Sequence, residues 1–336
     1  MGTKLLIVSP AFHGYYEAFR RAFDAAGFET SVVLVDHFAT VAKKAWNKVA
    51  FELPERVGLN SGPARSAYVS APVIKAFREV KPDAVIVIKG DALSDAWWAE
   101  LESSGVPYVV WIYDEVRRMR FSDERLQSFP KVATYSAEDH AALSARGITS
   151  MHIANGFDSF LEYREIGHRD EVTFVGAAYD NRIEVLSAVH EAGERVRAYG
   201  RDWSHDWRDR ARTWNRPRPD IPASRDVSRA DAYGVMKGSL ANINIHFNQD
   251  GFAMRTFEVP GVGGVQLIDR PDVDQHFDVG TEVLVYESPE ELVELSAKVR
   301  RDTAWANRIR EAGQKRTLAQ HTMVHRAEVM KGYLGA

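Results

Sequence analysis

A chain of 336 residues, 45% hydrophobic and 27% charged, is globular in composition and too long for one small core, so two domains are expected. Its formal net charge of -4 exerts no long-range pull on nucleic acid or on an anionic membrane. The absence of cysteine excludes disulfides, thiolate chemistry and Cys-ligated zinc.

The opening MGTKLLIVSPAFHG has an apolar run too short to span a bilayer and no signal-peptide pattern, so a cytoplasmic protein without stable membrane insertion is expected. Strands are expected at Lys4–Ser9, Thr30–Val35, Ala84–Lys89, Tyr108–Tyr113 and Lys131–Tyr135. Helical spacing marks Tyr15–Ala26, Ala64–Val80 and Ala137–Arg146 between them. Asn155-Gly156 and a charged run then suit a linker, after which the alternation restarts. Further strands are expected near Val172–Val175, Arg195–Tyr199, Ala241–His246, Gly264–Ile268 and Glu282–Tyr286, with a helix over Arg182–Ala192. Ser288-Pro289-Glu290-Glu291 reads as a helix start with a capping box. Helices over Asp302–Gln320 and Thr322–Leu334 finish the chain. Strands apolar on both faces and alternating with helices imply two doubly wound, Rossmann-like α/β domains with parallel sheets, facing a central cleft. The expected division is 1–157, 158–320, and a last helix over 321–336 packing back on the first domain.

Ligands of such sheets bind beyond the carboxyl ends of strands. His13 and Gly14 follow the first strand, and His13 is a candidate hydrogen-bonding group, though a lone histidine is more often structural. Lys89-Gly90-Asp91 and Asp114-Glu115 end two later strands. A carboxylate there serves as base or acceptor-binding group, or simply caps the next helix; Asp114 is preferred to Asp91. In NINIHFNQDGFAMRTFEVPGVGGVQLI a glycine-bearing loop feeds a short helix, presenting free N–H groups and a positive dipole end to a diphosphate. Arg255 adds a phosphate partner, and Glu258 one turn later suits two vicinal ribose hydroxyls. The alternative is an ordinary loop whose glycines allow tight packing. Asp272-Val273-Asp274 reads as helix capping, and no histidines have metal-ligand spacing, so no metal is expected. RDWSHDWRDRARTWNRPRPDIPASRDVSR interleaves arginine with tryptophan, a mixture that binds nucleic acid or sugars, but its aspartates offset much of the charge.

RTFEVPGVGGVQL, FDVGTEVLVYESPEELVELSAKV and HTMVHR resemble the C-terminal half of group-1 glycosyltransferases, closest to the CgeB-like, spore-maturation branch. VTFVGAAYDNRIEVL and VRAYGRDW are similar to the first two strand–helix units of that donor domain. The resemblance implies a GT-B fold, with an acceptor-side N-terminal domain and a C-terminal donor domain. It also implies a pair of carboxylates seven residues apart, one facing the sugar and one the ribose. Glu258 matches the second, and Asp250 stands at the first with a shorter reach. Gly251, Phe252 and Ala253 match the loop whose backbone meets sugar and phosphates. Gly176 and Arg182 match the small and basic residues at the diphosphate. Gly200, Arg201 and Trp203 stand where a nucleobase rests, with Trp203 offering a ring to stack or a core side chain.

The function implied is transfer of a sugar from a nucleoside-diphosphate sugar to an acceptor hydroxyl, retaining and metal-independent, with no cofactor beyond that co-substrate. His13, Asp114 and Asp250 are its catalytic candidates. UDP, GDP and dTDP all remain open as the nucleotide, and the acceptor is a glycan, a protein, a metabolite or modified DNA. The alternatives are a nucleotide-sugar epimerase of the same architecture and a non-catalytic sugar-nucleotide-binding protein.

Overall fold

The structure, a computed structural model, describes residues 2–36, 62–166, 170–214, 217–246 and 248–335. The chain divides into two compact units, Met1–Ala154 with Arg326–Ala336, and Asn155–His325.

The first unit is built on six strands: β1 (Thr3–Ser9), β2 (Phe28–Leu34), β3 (Ala84–Ile88), β4 (Tyr108–Ile112), β5 (Val132–Thr134) and β6 (Ser150–His152). They lie in the order β2-β1-β3-β4-β5-β6, every described pair parallel. AVIVI of β3 and YVVWI of β4 are buried at every position, as strands covered on both faces must be. The helices among its described residues are α1 (Tyr15–Ala25), α2 (Gly62–Val80), α3 (Asp95–Ser104), α4 (Asp123–Ser128) and α5 (Ala137–Ala145). Phe19 of α1 sets its ring 5.4 Å from Trp111 and 5.2 Å from Tyr113, so the aromatic stripe of that helix is core.

The second unit repeats the plan with β7 (Val172–Val175), β8 (Val196–Tyr199), β9 (Ala223–Ser224), β10 (Ala241–Asn244), β11 (Gln266–Ile268) and β12 (Leu284–Val285). Their order is β12-β11-β10-β7-β8-β9, again parallel throughout the described pairs. Around them stand α6 (Asp180–Glu191), α7 (Trp207–Arg212), α8 (Arg229–Gly238), α9 (Arg255–Gly261), α10 (Pro289–Arg301) and α11 (Thr303–Gln320). At the start of α10 the Ser288 hydroxyl accepts from the Glu291 amide at 3.2 Å, and Glu291 reaches back to the Glu287 amide at 2.8 Å. The expected capping box thus closes one residue earlier than its usual form. A final helix, α12 (Met323–Leu334), runs from the second unit into the first. Among the described residues no helix is long and apolar enough to cross a membrane.

The short helix α7 is held by one ionic anchor. Asp209, buried within it, accepts from Arg225 at 2.7 and 3.0 Å, and that hydrogen-bonded guanidinium brings its carboxyl from 3.8 down to about 2. A carboxyl depressed on folding contributes stability above its unfolded pKa and loses it as pH falls through the folded one. Acid melting curves should therefore show destabilisation of the parent between pH ~4 and ~2 that Asp209→Asn lacks. The variant should already melt lower at neutral pH.

Candidate functional site

In each sheet the connections leave in opposite directions at one pair of neighbouring strands, β1 and β3 in the first and β7 and β10 in the second. The crevice beyond the carboxyl ends at such a switch point is where doubly wound sheets take ligands.

At the second switch point two arginines converge. Arg182, in the first turn of α6, donates from Nε and Nη2 to the Ile245 carbonyl at 3.2 and 2.9 Å and from Nη1 to Ala177 at 3.2 Å. Its guanidinium also lies 4.9 Å from the Tyr179 ring centroid and 5.3 Å from that of Phe174. Desolvation lowers its pKa, and the neighbouring charge of Arg255 pushes the same way. Arg255, the first residue of α9, donates from Nε to the Val175 carbonyl at 3.3 Å. Both cations are therefore fixed by backbone carbonyls at the ends of the two switch-point strands. A cavity of about 40 Å³ between them is also lined by Asn244 and Ala253.

Glu258 corrects the expectation of an open ribose-binding carboxylate. It is fully buried, its Oε2 ion-paired with Nη1 of Arg255 and its Oε1 3.3 Å from the Tyr233 hydroxyl. Spacing of three residues on one helix brings Arg255 and Glu258 side by side, and a buried carboxylate requires such a partner. Glu258 thus pairs with Arg255, while Arg182 is held by carbonyls and ring faces.

The loop before α9 is pinned through its carbonyls. Arg270 donates to the carbonyls of Gln249 at 3.0 Å and Asp250 at 3.3 Å, and Asn155 donates to that of Phe252 at 2.7 Å. The Gly251 and Phe252 amides donate to no group among the described residues, which is unusual for buried backbone. The Ala253 amide points at Nε2 of His246, 3.4 Å away. Phe252 itself is buried, with the Arg270 guanidinium 4.7 Å from its ring centroid. Asp272 belongs to this support, since it accepts from Arg270 Nε at 2.7 Å.

Sequence reasoning missed the pair behind that loop. His246 lies two residues beyond β10 and Asp269 follows β11; Nδ1 of the histidine lies 2.9 Å from the carboxylate, which also accepts from the His246 amide at 2.8 Å. An Nδ1–H tautomer is the one that leaves Nε2 to accept from the Ala253 amide. The signal was present in NINIH and VQLID, where a polar side chain follows the end of each of two adjacent strands.

On the other side of β7, Trp203 is also corrected. Its indole is wholly buried and donates to the Gly176 carbonyl at 2.8 Å, with Phe174 edge-on at 5.7 Å, so no ring face is left for a base. The residue is there to close β7 onto β8. Gly200 is required by the same closeness, because a Cβ at that position would stand 2.5 Å from the Gly176 oxygen. Arg201 is exposed and ion-paired with Asp226 at 3.1 Å.

In the first unit, His13 is exposed beyond β1 in a left-handed turn, with φ of 30° at Phe12, 49° at His13 and 81° at Gly14. Two consecutive non-glycine residues in that region store strain, a property that clusters at functional sites. Asp114 is corrected as a candidate base. Burial alone would raise its pKa, but Lys89 at 2.8 Å, the Glu115 amide at 3.0 Å and Arg118 at 3.5 Å hold it below the usual carboxylate range. A base works best with a pKa near the operating pH, so Asp114 is a paired anion that orients Lys89. Behind it the buried Glu115 accepts from Tyr135 at 2.5 Å and is ion-paired with Arg118 at 2.8 Å. Asp91 lines a separate pocket of about 470 Å³ with Trp98, Phe121 and Arg125.

No curated protein sequence matches the chain. Among solved structures, sucrose-phosphate synthase from Thermosynechococcus elongatus is similar with a TM-score of 0.63 and 12% identity, over 98% of each chain. HepE of Anabaena in complex with UDP is similar with a TM-score of 0.64 and 13% identity, over 99% of this chain and 100% of that one. T4 phage BGT in complex with its UDP-glucose substrate gives 0.60 and 10%, over 99% and 100%. Such identities speak for the fold alone, and that fold is GT-B, two Rossmann-like α/β domains with parallel sheets. In sequence, residues 182–332 match the family model described as Glycosyl transferase-like, a stretch that covers most of the second unit and continues into α12.

Proposed function

We propose that the protein moves a glycosyl group from a nucleoside-diphosphate sugar to an acceptor hydroxyl, with the donor in the second unit and the acceptor on the first. The observation that carries this reading is the pair Arg182 and Arg255, both aimed by strand-end carbonyls at the β7/β10 switch point. Departure of a diphosphate concentrates negative charge on its oxygens, and preorganised donors aimed there lower the barrier. The two guanidinium groups and the Gly251 and Phe252 amides supply such donors. Because they provide the charge themselves, the transfer is proposed to be metal-independent, and by resemblance to be a retaining hexosyl transfer of the CgeB-like branch. Asp250 is assigned to the sugar, Glu258 to holding Arg255 at the diphosphate, and His13 to the acceptor side. UDP heads the nucleotide candidates, because structures of similar fold carry it.

A melting-curve panel tests the reading. UDP, GDP or dTDP should raise the melting temperature through mass action, and a chelator should leave the shift intact. Loss of every shift in chelator would end the metal-independent version, and no shift with any nucleotide would end the donor-site assignment. Sugar release that depends on an added acceptor separates a transferase from an epimerase of the same fold.

A further inference from the structure

Helix α7 is built inside out. Its Asp209 is buried while Trp207, Arg208, Arg210, Ala211 and Arg212 are exposed, and Trp214 follows, exposed, just beyond its end. Short helices ordinarily owe their stability to an apolar face turned inward. Here the inward group is a carboxylate bonded to Arg225, and the apolar groups face solvent. Trp207 at 71% and Trp214 at 82% are the two most exposed large hydrophobic side chains among the described residues. The three arginines between them have no carboxylate partner among the described residues, and Asp209, the one acid in the stretch, is already neutralised. A concentrated positive patch therefore stands on a chain whose net charge is -4.

We propose that this face is a docking surface for an anionic membrane. Indoles favour the headgroup level, where the ring meets acyl chain and the N–H stays wet, and guanidinium groups pair with lipid phosphates. A helix with arginines beside exposed tryptophans has the makeup of an interfacial element that lies on a bilayer without crossing it. Single-stranded nucleic acid is the less fitting partner. The Arg208 guanidinium already lies 5.5 Å over the Trp207 ring, on a face that a base would need. Asp202, Asp220 and Asp226 flank the stretch in sequence and interrupt the positive track that a sugar-phosphate backbone follows. The inference is independent of the donor-site reading, because none of these side chains belongs to that site.

The test is flotation of the full chain with vesicles of phosphatidylcholine, with and without phosphatidylglycerol. Binding should require the anionic lipid and weaken with salt. Two double variants, W207A/W214A and R208E/R212E, should each lower vesicle affinity roughly tenfold or more. Since these side chains are exposed, melting temperatures should stay at the parent value. No binding to anionic vesicles overturns the proposal, and so does binding that survives both variants. Preferential capture by a single-stranded oligothymidylate, lost in the same variants, would give the face to nucleic acid and overturn it equally.

Discussion

Arg182→Leu should weaken binding of the cognate nucleoside diphosphate by about 10- to 100-fold, the equivalent of one lost charge-assisted contact. Arg182→Lys should recover part of the affinity, because it restores charge but not the fork that now grips Ile245 and Ala177. Since those clamps also tie α6 to the end of β10, the leucine variant should melt a little lower as well. Isothermal titration against UDP, GDP and dTDP, done on protein shown to be folded, isolates the binding effect. Unaltered affinity in folded Arg182→Leu would remove the residue from the donor site and take the main support of the proposed function with it.

Glu258 should behave differently from a donor contact alone. Removing one member of a buried ion pair strands the other, at about 3–5 kcal/mol when both are sealed from water. The Arg255 side chain is 28% exposed and can rehydrate in part. Glu258→Ala is accordingly expected to lose about 2–3 kcal/mol of stability, an effect read directly from denaturant melts. Glu258→Gln keeps the shape and separates support from recognition. If the carboxylate serves the ribose, UDP affinity should drop roughly tenfold while pyrophosphate affinity holds. Equal losses for both ligands would confine Glu258 to the positioning of Arg255.

Legibility from sequence followed burial and periodicity. The long apolar strands β1, β3 and β4 announce themselves, because a run such as AVIVI has no stable place except between two helical layers. The edge strands β6, of sequence SMH, and β9, of sequence AS, were not foreseen; each pairs with one neighbour and carries no apolar signature. At the site, Arg182 was singled out by the resemblance and Arg255 by its place on the first turn of the helix after a glycine-bearing loop. Their partners were not, since spacing locates a side chain without saying what it will meet. Trp203 and Glu258 were both read as reaching outward, and both turned inward to satisfy packing and charge. The His246–Asp269 pair was hidden because its members lie 23 residues apart and touch only through strand pairing.

The course of α12 bears on how the protein is made. Lys331 donates to the Ala26 carbonyl at 2.7 Å, Lys131 donates to the Tyr333 carbonyl at 2.7 Å, and the Tyr333 hydroxyl lies 3.2 Å from the carbonyls of Val132 and Thr149. The first unit is therefore assembled from two stretches of chain on either side of the second, while the second is one unbroken stretch. During synthesis the second unit can close as soon as it emerges. Until α12 has emerged as well, the first unit holds a vacant place against β5 and cannot complete its own packing.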